Sequence, residues 1–308
     1  MKVARFSQPD GRVGVGVVDG TTVHVIDGVD DIVPLLAGGE LAAAGRRALR
    51  RADNVLEAAV LRFLSPIATP PTVRDFYAFE SHVRAGRAWR GLDMDPEWYE
   101  RPVFYFSSPY AVTGEGEVPV PPGSSELDFE LEVAAVLGGG GRDLSPVQGA
   151  ALVAGFCVMN DWSARDLQRR EMRLSMGPVK SKDSATGLGP WLVTPDEVDD
   201  VREGNGYHLA MSCTVNGRRC SEALWSDVHW SFGEMVAYAS RGSEVRPGDV
   251  LGSGTCGSGC LLELRQRRAP EEYPWLVPGD RVVASIERLG DLHNVVVPGR
   301  SPVPLRPS

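Results

Sequence analysis

The 308-residue sequence predicts a β-rich α+β protein, with a small N-terminal domain (1–66) ahead of a larger domain (67–308). Three observations predict it. Glycine (35) and proline (23) are abundant, which favours many strands joined by tight turns over a helical bundle. Short apolar segments recur between Asp-Gly and Asn-Gly pairs, the signature of hairpin turns. Finally, Pro66-Ile-Ala-Thr-Pro-Pro71 is a rigid, non-helical connector that marks a boundary.

The elements follow in order. Residues 2–6 and 13–18 read as strands turned by Asp10-Gly11, and 41–63, rich in Ala, Leu, Arg and Glu, as one helix or two. Residues 102–106 read as a buried strand. Residues 127–137 form a strand in which Asp128, Glu130 and Glu132 share one face and Phe129, Leu131 and Val133 the other. Gly138 to Gly141 is a turn rather than a phosphate loop, since no Lys-Ser/Thr and no helix follow it. Ser145, Pro146 and Gln148 signal a capped helix start. A helix starting near Asp161 would align Asp161, Arg165 and Gln168. Asn216-Gly217 is a hairpin turn, 231–240 a helix, and 281–289 the last long strand.

The bulk numbers exclude several roles. A net charge of -9 disfavours nucleic acid and anionic membranes as partners, without excluding a small anionic substrate held by local cations or a metal. The N-terminus lacks the apolar core of a signal peptide, and the longest apolar run, 150–159, is too short to span a bilayer. Five scattered cysteines suggest reduced thiols in the cytoplasm. Cys256 and Cys260 are four apart, but no second pair or nearby histidine completes a zinc set.

Carboxylates stacked on one strand face are costly unless water or a cation screens them. By itself the 127–133 pattern fits a solvated face, Asp161 fits a helix N-cap, and His82 fits a structural or surface histidine on a basic helix. Together they are more specific. The chain carries Asp75-Phe-Tyr77 with His82 seven residues after the aspartate. It then carries Glu130-x-Glu132, Asn160-Asp161-Trp-Ser-Ala-Arg165-Asp, a Lys180-Ser loop, and Gly-Ser-Gly-Thr255 leading to Leu-Glu263-Leu.

In this order the motifs resemble the fumarylacetoacetate hydrolase family, from about residue 69 to about 289. The resemblance implies a mixed β-sandwich roll catalytic domain, a smaller N-terminal domain and a homodimer. It implies Asp75, Glu130, Glu132 and Asp161 as metal ligands, His82 as general base and Glu263 as the group that orients it. Arg165, Gln168 and Lys180 would stabilise the oxyanion or substrate carbonyls, and Tyr77, Arg90, Tyr105 and Thr255 would contact substrate. Two departures bear on the substrate: Met172 stands where the enzyme that names the family has a tyrosine, and the loop after Lys180 differs in length and adds Lys182.

Four carboxylates without cysteine or histidine suit a hard cation, Mg²⁺ first, with Ca²⁺ or Mn²⁺ as alternatives. Such an ion can chelate a 1,3-dicarbonyl and stabilise the enolate released when its C–C bond breaks. A histidine near its natural pKa, backed by a carboxylate, can take a proton from water at neutral pH. The expected activity is hydrolysis of a β-diketone acid such as an acylpyruvate. A decarboxylase, isomerase or tautomerase of a related oxo-acid, or a non-catalytic metal-dependent binding protein, are the alternatives.

Overall fold

The structure is a computed structural model that describes residues 1–306, Trp89 by its backbone alone. Its centre is a twelve-stranded mixed sheet. The strands that matter for function lie side by side in it: Thr186–Val193, Val153–Asp161, Leu131–Leu137, Val250–Gly252, Val73–Phe76 and Phe104–Ser107. Most of these segments are buried along their length, so they read as continuous apolar runs rather than as alternation.

Both faces of the sheet are covered. Val133, Ala135 and Leu137 pack with Met211, Ala284, Ile286 and Leu292 of a five-stranded sheet built around Ala210–Val215, Arg281–Ile286 and Gly290–Val297. Ala134 and Val136 face the other way, onto Val3, Val15 and the helical residues Leu36, Leu41 and Ala44. The two-residue period of the strand sorts these side chains into two cores. The first 66 residues are part of the same sheet: Lys2–Ser7 pairs with Thr186–Val193, and Val13–Asp19 and Thr22–Val25 extend it.

Local signals were followed where the partner is near in sequence. Ser145 and Gln148 form a reciprocal capping box on the helix Pro146–Ala151. Asn216 and Gly217, at φ of 53° and 78°, turn the hairpin between Ala210–Val215 and Arg218–Leu224.

Elsewhere the structure differs. Residues 41–63 hold one helix, Leu41–Leu49, followed by strands Val55–Glu57 and Arg62–Leu64, because Val55 and Leu56 find partners at His24 and Val23. The 102–106 segment is an edge strand, and Phe106 is exposed. The acidic strand is interrupted at Phe129–Glu130, with Leu127–Asp128 pairing separately to Ser163–Ala164. Asp161 does not begin a helix. It ends the strand Val153–Asp161, and the helix starts at Arg165.

Candidate active site

Register brings three carboxylates together. Asp75, Glu132 and Asp161 project from the sheet face that also carries Val73, Ala134 and Met159. Glu132 lies opposite Met159, two residues from Asp161, and Gly252 lies opposite both Ala134 and Asp75. Gly252 leaves the row open: a Cβ there would come within 2.7 Å of Asp75 Oδ1 and 2.8 Å of Met159 Sδ. The facing oxygens of Asp75, Glu132 and Asp161 lie within 4.8 Å of one another.

Glu130 sits at the strand break. Its backbone N–H donates to Asn160 Oδ1 (2.9 Å), and its carbonyl accepts from the Asp161 N–H (3.1 Å). Its carboxylate is held by cations rather than by the trio, accepting from Arg165 Nη2 (2.7 Å) and from Lys182 Nζ, which also donates to Asp161. Burial alone would raise the Glu130 carboxyl, but the charges of Lys182 and Arg165 outweigh it and hold it below the ordinary range. For Asp75, Glu132 and Asp161 burial dominates and the carboxyls are pushed up, Glu132 and Asp161 the furthest.

Lys180 is not at this site. It is an exposed side chain (72%) paired with Asp183 at 2.8 Å, whereas Lys182 is 3% exposed and reaches the carboxylates. The cause is strand register. Asp161 pairs with Thr186, and the Ser181 carbonyl accepts from the Ala164 N–H (2.9 Å), which sets the next side chain, Lys182, over Asp161.

Arg165 is buried between two acids. It donates from Nε to Asp128 (2.8 Å), from Nη2 to Glu130, and from Nη1 to Gln168 Oε1 (3.0 Å). Asp128, the third acid on the strand face, is a junction. Besides Arg165 it accepts from the backbone N–H groups of Leu261 (2.7 Å) and Leu262 (3.0 Å), at the start of the helix Leu261–Arg267. That helix carries Glu263.

His82, on the helix Glu80–Trp89, is 13% exposed and meets Glu263 through Nδ1···Oε2 at 3.1 Å. Glu263 Oε2 also accepts from the Ser258 N–H (2.9 Å), and Arg267 pairs with its other oxygen. Tyr77 lies edge-on to His82, with ring centroids 5.8 Å apart, and burial pushes its phenol up to about 12. Tyr105, opposite Asp75 on the edge strand, donates to Asp75 (2.6 Å) and contacts Asp161. Thr255 Oγ1 reaches Glu132 at 3.4 Å. Arg90 is exposed at the end of its helix, donates to the Gly86 carbonyl, and acts on Tyr77 only through its charge.

The trio fits a hard divalent cation on its own chemistry. Five buried carboxylates (Asp75, Asp128, Glu130, Glu132, Asp161) face two buried cations, Arg165 and Lys182. Asp75 Oδ1 and Asp161 Oδ1 are buried without a donor. Unpartnered carboxylate oxygens amid excess negative charge are what a divalent ion satisfies.

Comparison with known proteins places this arrangement. The family described as "Fumarylacetoacetate (FAA) hydrolase C-terminal" matches residues 72–297, and "Rv2993c-like, N-terminal" matches residues 1–66. The chain belongs to the fumarylacetoacetate hydrolase family. It is similar to a maleylpyruvate hydrolase of Aquipseudomonas alcaligenes, 30% identical and spanning 95% of this chain and 98% of the relative. It is also similar to the human mitochondrial oxaloacetate tautomerase FAHD2A, 29% identical over 96% and 92%.

Among solved structures, a putative HpcE protein of Mycobacterium smegmatis superimposes with a TM-score of 0.74 at 25% identity, covering 97% of this chain and 100% of that one. A maleylpyruvate hydrolase of Sphingobium sp. SYK-6, solved with manganese(II) ion and pyruvate, shares the fold at 23% identity, with a TM-score of 0.72 and coverage of 97% and 100%. Family relatives thus include hydrolases, tautomerases and a bifunctional isomerase/decarboxylase. Among the described residues no helix is long and apolar enough to cross a membrane.

Proposed function

We propose that the chain is a metal-dependent hydrolase that cleaves a C–C bond in a β-diketone acid of the acylpyruvate or fumarylacetoacetate type. One observation carries this reading: a histidine–carboxylate pair, His82 and Glu263, stands beside a metal-suited carboxylate cluster. Decarboxylation needs no activated water, so a base held in this way favours hydrolysis over decarboxylation.

In this reading Asp75, Glu132 and Asp161 hold the cation, with Glu130 beside them. Mg²⁺ is the first candidate, and Mn²⁺ or Ca²⁺ the alternatives. When bound, the cation supplies Lewis acidity toward the two oxygens of the dicarbonyl.

The chain's own residues do the rest. Glu263 fixes the His82 tautomer through Nδ1 and leaves Nε2 to take a proton from water. The hydroxide adds to the acyl carbonyl. When the tetrahedral centre collapses, the C–C electron pair leaves as the enolate of the keto acid and is protonated by the imidazolium, so acid and keto acid form with His82 restored. Lys182, Arg165 and Gln168 offer positive charge and donors to the developing oxyanion, and removing one such donor typically costs about 10²–10³ in rate. Tyr77, Tyr105, Thr255 and the exposed Arg90 are the substrate-facing set. The protein is taken as a cytoplasmic homodimer acting on a small acid, without nucleic-acid or membrane partners; its five free cysteines suit a reducing compartment.

The test follows the enol absorbance of maleylpyruvate, fumarylacetoacetate and simple acylpyruvates, with Mg²⁺ or Mn²⁺ and with EDTA, for the wild type and His82→Ala. Metal-dependent loss with two acid products, absent in the variant, is expected. Enol–keto conversion or CO₂ release from oxaloacetate, with no diketone cleaved, would replace hydrolysis by tautomerase or decarboxylase activity. Hydrolysis surviving in His82→Ala would remove its role as base.

A further inference from the structure

The zinc set that Cys256 and Cys260 lack in sequence is completed in space by residues from elsewhere, and around Cys260 alone. A ring nitrogen of His82, Cys260 Sγ and a Glu263 carboxylate oxygen lie within 4.8 Å of one another. We propose that His82, Cys260 and Glu263 form a second metal site, separate from the carboxylate cluster, that takes a thiophilic divalent cation of the zinc–cadmium class and silences His82 when filled.

The geometry is near what such an ion needs. Bonds of about 2.0–2.1 Å to nitrogen and oxygen and about 2.3 Å to sulfur set tetrahedral ligand–ligand edges of roughly 3.3–3.6 Å. The Nδ1···Oε2 separation is 3.1 Å, and Sγ lies within 4.8 Å of both groups. The three ligands come from two helices: His82 from Glu80–Trp89, Glu263 from Leu261–Arg267, and Cys260 from the residue that precedes the latter. Glu263 is already steadied by the Ser258 N–H and Arg267, the outer-shell support that metal ligands require. The Cys260 backbone is bridged to Glu130, and its side chain is buried.

The two sites differ in kind. Asp75, Glu132 and Asp161 offer only oxygen, which suits Mg²⁺ and Mn²⁺, whereas sulfur and imidazole select zinc and cadmium. Binding exchanges the thiol proton for the ion: the S–H bond breaks, the sulfur–metal bond forms, and the proton goes to solvent. Whichever ring nitrogen binds, Glu263 no longer sets the tautomer that leaves Nε2 free. That silencing rests on the hydrolytic reading above, while the site itself does not.

The test uses the full, reduced chain with Mg²⁺ saturating the carboxylate cluster, titrated with Cd²⁺ while the thiolate-to-cadmium charge-transfer absorbance is read. One equivalent should develop the band. Cys260→Ser should abolish it. Cys220→Ser, at the half-exposed thiol far in sequence from the corner, should keep it. Losing a ligand should weaken binding by more than about 100-fold, since losing only an outer-shell partner typically costs 10–100-fold. No band in the wild type, or a band that persists in Cys260→Ser, overturns the proposal.

If Cys260→Ser does not fold, the visible spectrum of wild type with Co²⁺ decides. Intense sulfur-ligated tetrahedral bands support the site, and only weak oxygen-ligated bands refute it. A chain that shows the band but cleaves no dicarbonyl keeps the metal site and removes the hydrolase assignment.

Discussion

Arg74 and Asp75 are neighbours on one strand, pointing to opposite faces of the same sheet, and they solve the problem of a buried charge in opposite ways. Arg74 is closed. It donates to Asp249 at 3.1 Å and to Thr72 at 2.6 Å, and Asp249 is completed by Thr72 Oγ1 (2.8 Å) and the Arg246 N–H (2.9 Å). Asp75 is open. It has Tyr105 as donor, an oxygen with none, and three more carboxylates around it. A charge-balanced ion pair holds the fold. The acidic cluster of the same depth sets five carboxyls against Lys182 and Arg165, an excess that a cation would complete.

Substitutions sharpen this contrast. Asp249→Asn leaves Arg74 buried without its counter-ion, which typically costs 3–5 kcal/mol. Urea unfolding should show that loss, with any residual folded protein still responding to metal. Glu132→Gln does the reverse. It removes one of several like charges and can retain the bond from the Gly254 N–H (2.9 Å), so metal-free thermal stability should hold or rise while activity falls by about 10²–10³ and the metal-induced gain in Tm disappears. A loss of several kcal/mol in metal-free Glu132→Gln would break the contrast.

A smaller effect is expected with pH. Asp75, Glu132 and Asp161 hold their protons above the ordinary carboxylate range, chiefly through burial. The folded state then binds more protons than the unfolded one, so metal-free stability is greatest below the unfolded carboxyl pKa and falls as pH rises toward the raised folded values. A metal must displace those protons. The gain in Tm on adding Mg²⁺ or Mn²⁺ should therefore grow as pH rises through that window, and EDTA should abolish it. A gain independent of pH would mean that the trio is already ionised.

What the sequence made legible was local or patterned. Ser145 with Gln148 announces its helix because both partners lie within one turn. Asp75, His82, the Glu-x-Glu pair and Asp161 could be picked out by motif, and the structure gathers them into one region. Less legible was whatever depends on a partner far along the chain. Val55 becomes a strand because of His24. Lys182 rather than Lys180 reaches the carboxylates because Asp161 pairs with Thr186. Glu263 lies in an apolar Leu-Leu-Glu-Leu that reads equally as strand or helix, and it is helical where Asp128 accepts from Leu261 and Leu262. Asp128 itself carries no local sign that it is more than another acid on a strand.

The span of that last contact bears on how the protein comes into being. Asp128 and Leu261 are 133 positions apart, and His82 and Glu263 are 181 apart, whereas Glu130 and Asn160 are separated by only 30. Chain closure over longer stretches is slower to reward, and synthesis runs from the N-terminus. A nascent chain emerging from the ribosome therefore owns its carboxylate hairpin well before it has a counterpart for His82. The pair proposed as catalytic is therefore completed only after most of the chain has been made, while the strands Arg281–Ile286 and Gly290–Val297 that cover the sheet follow later still.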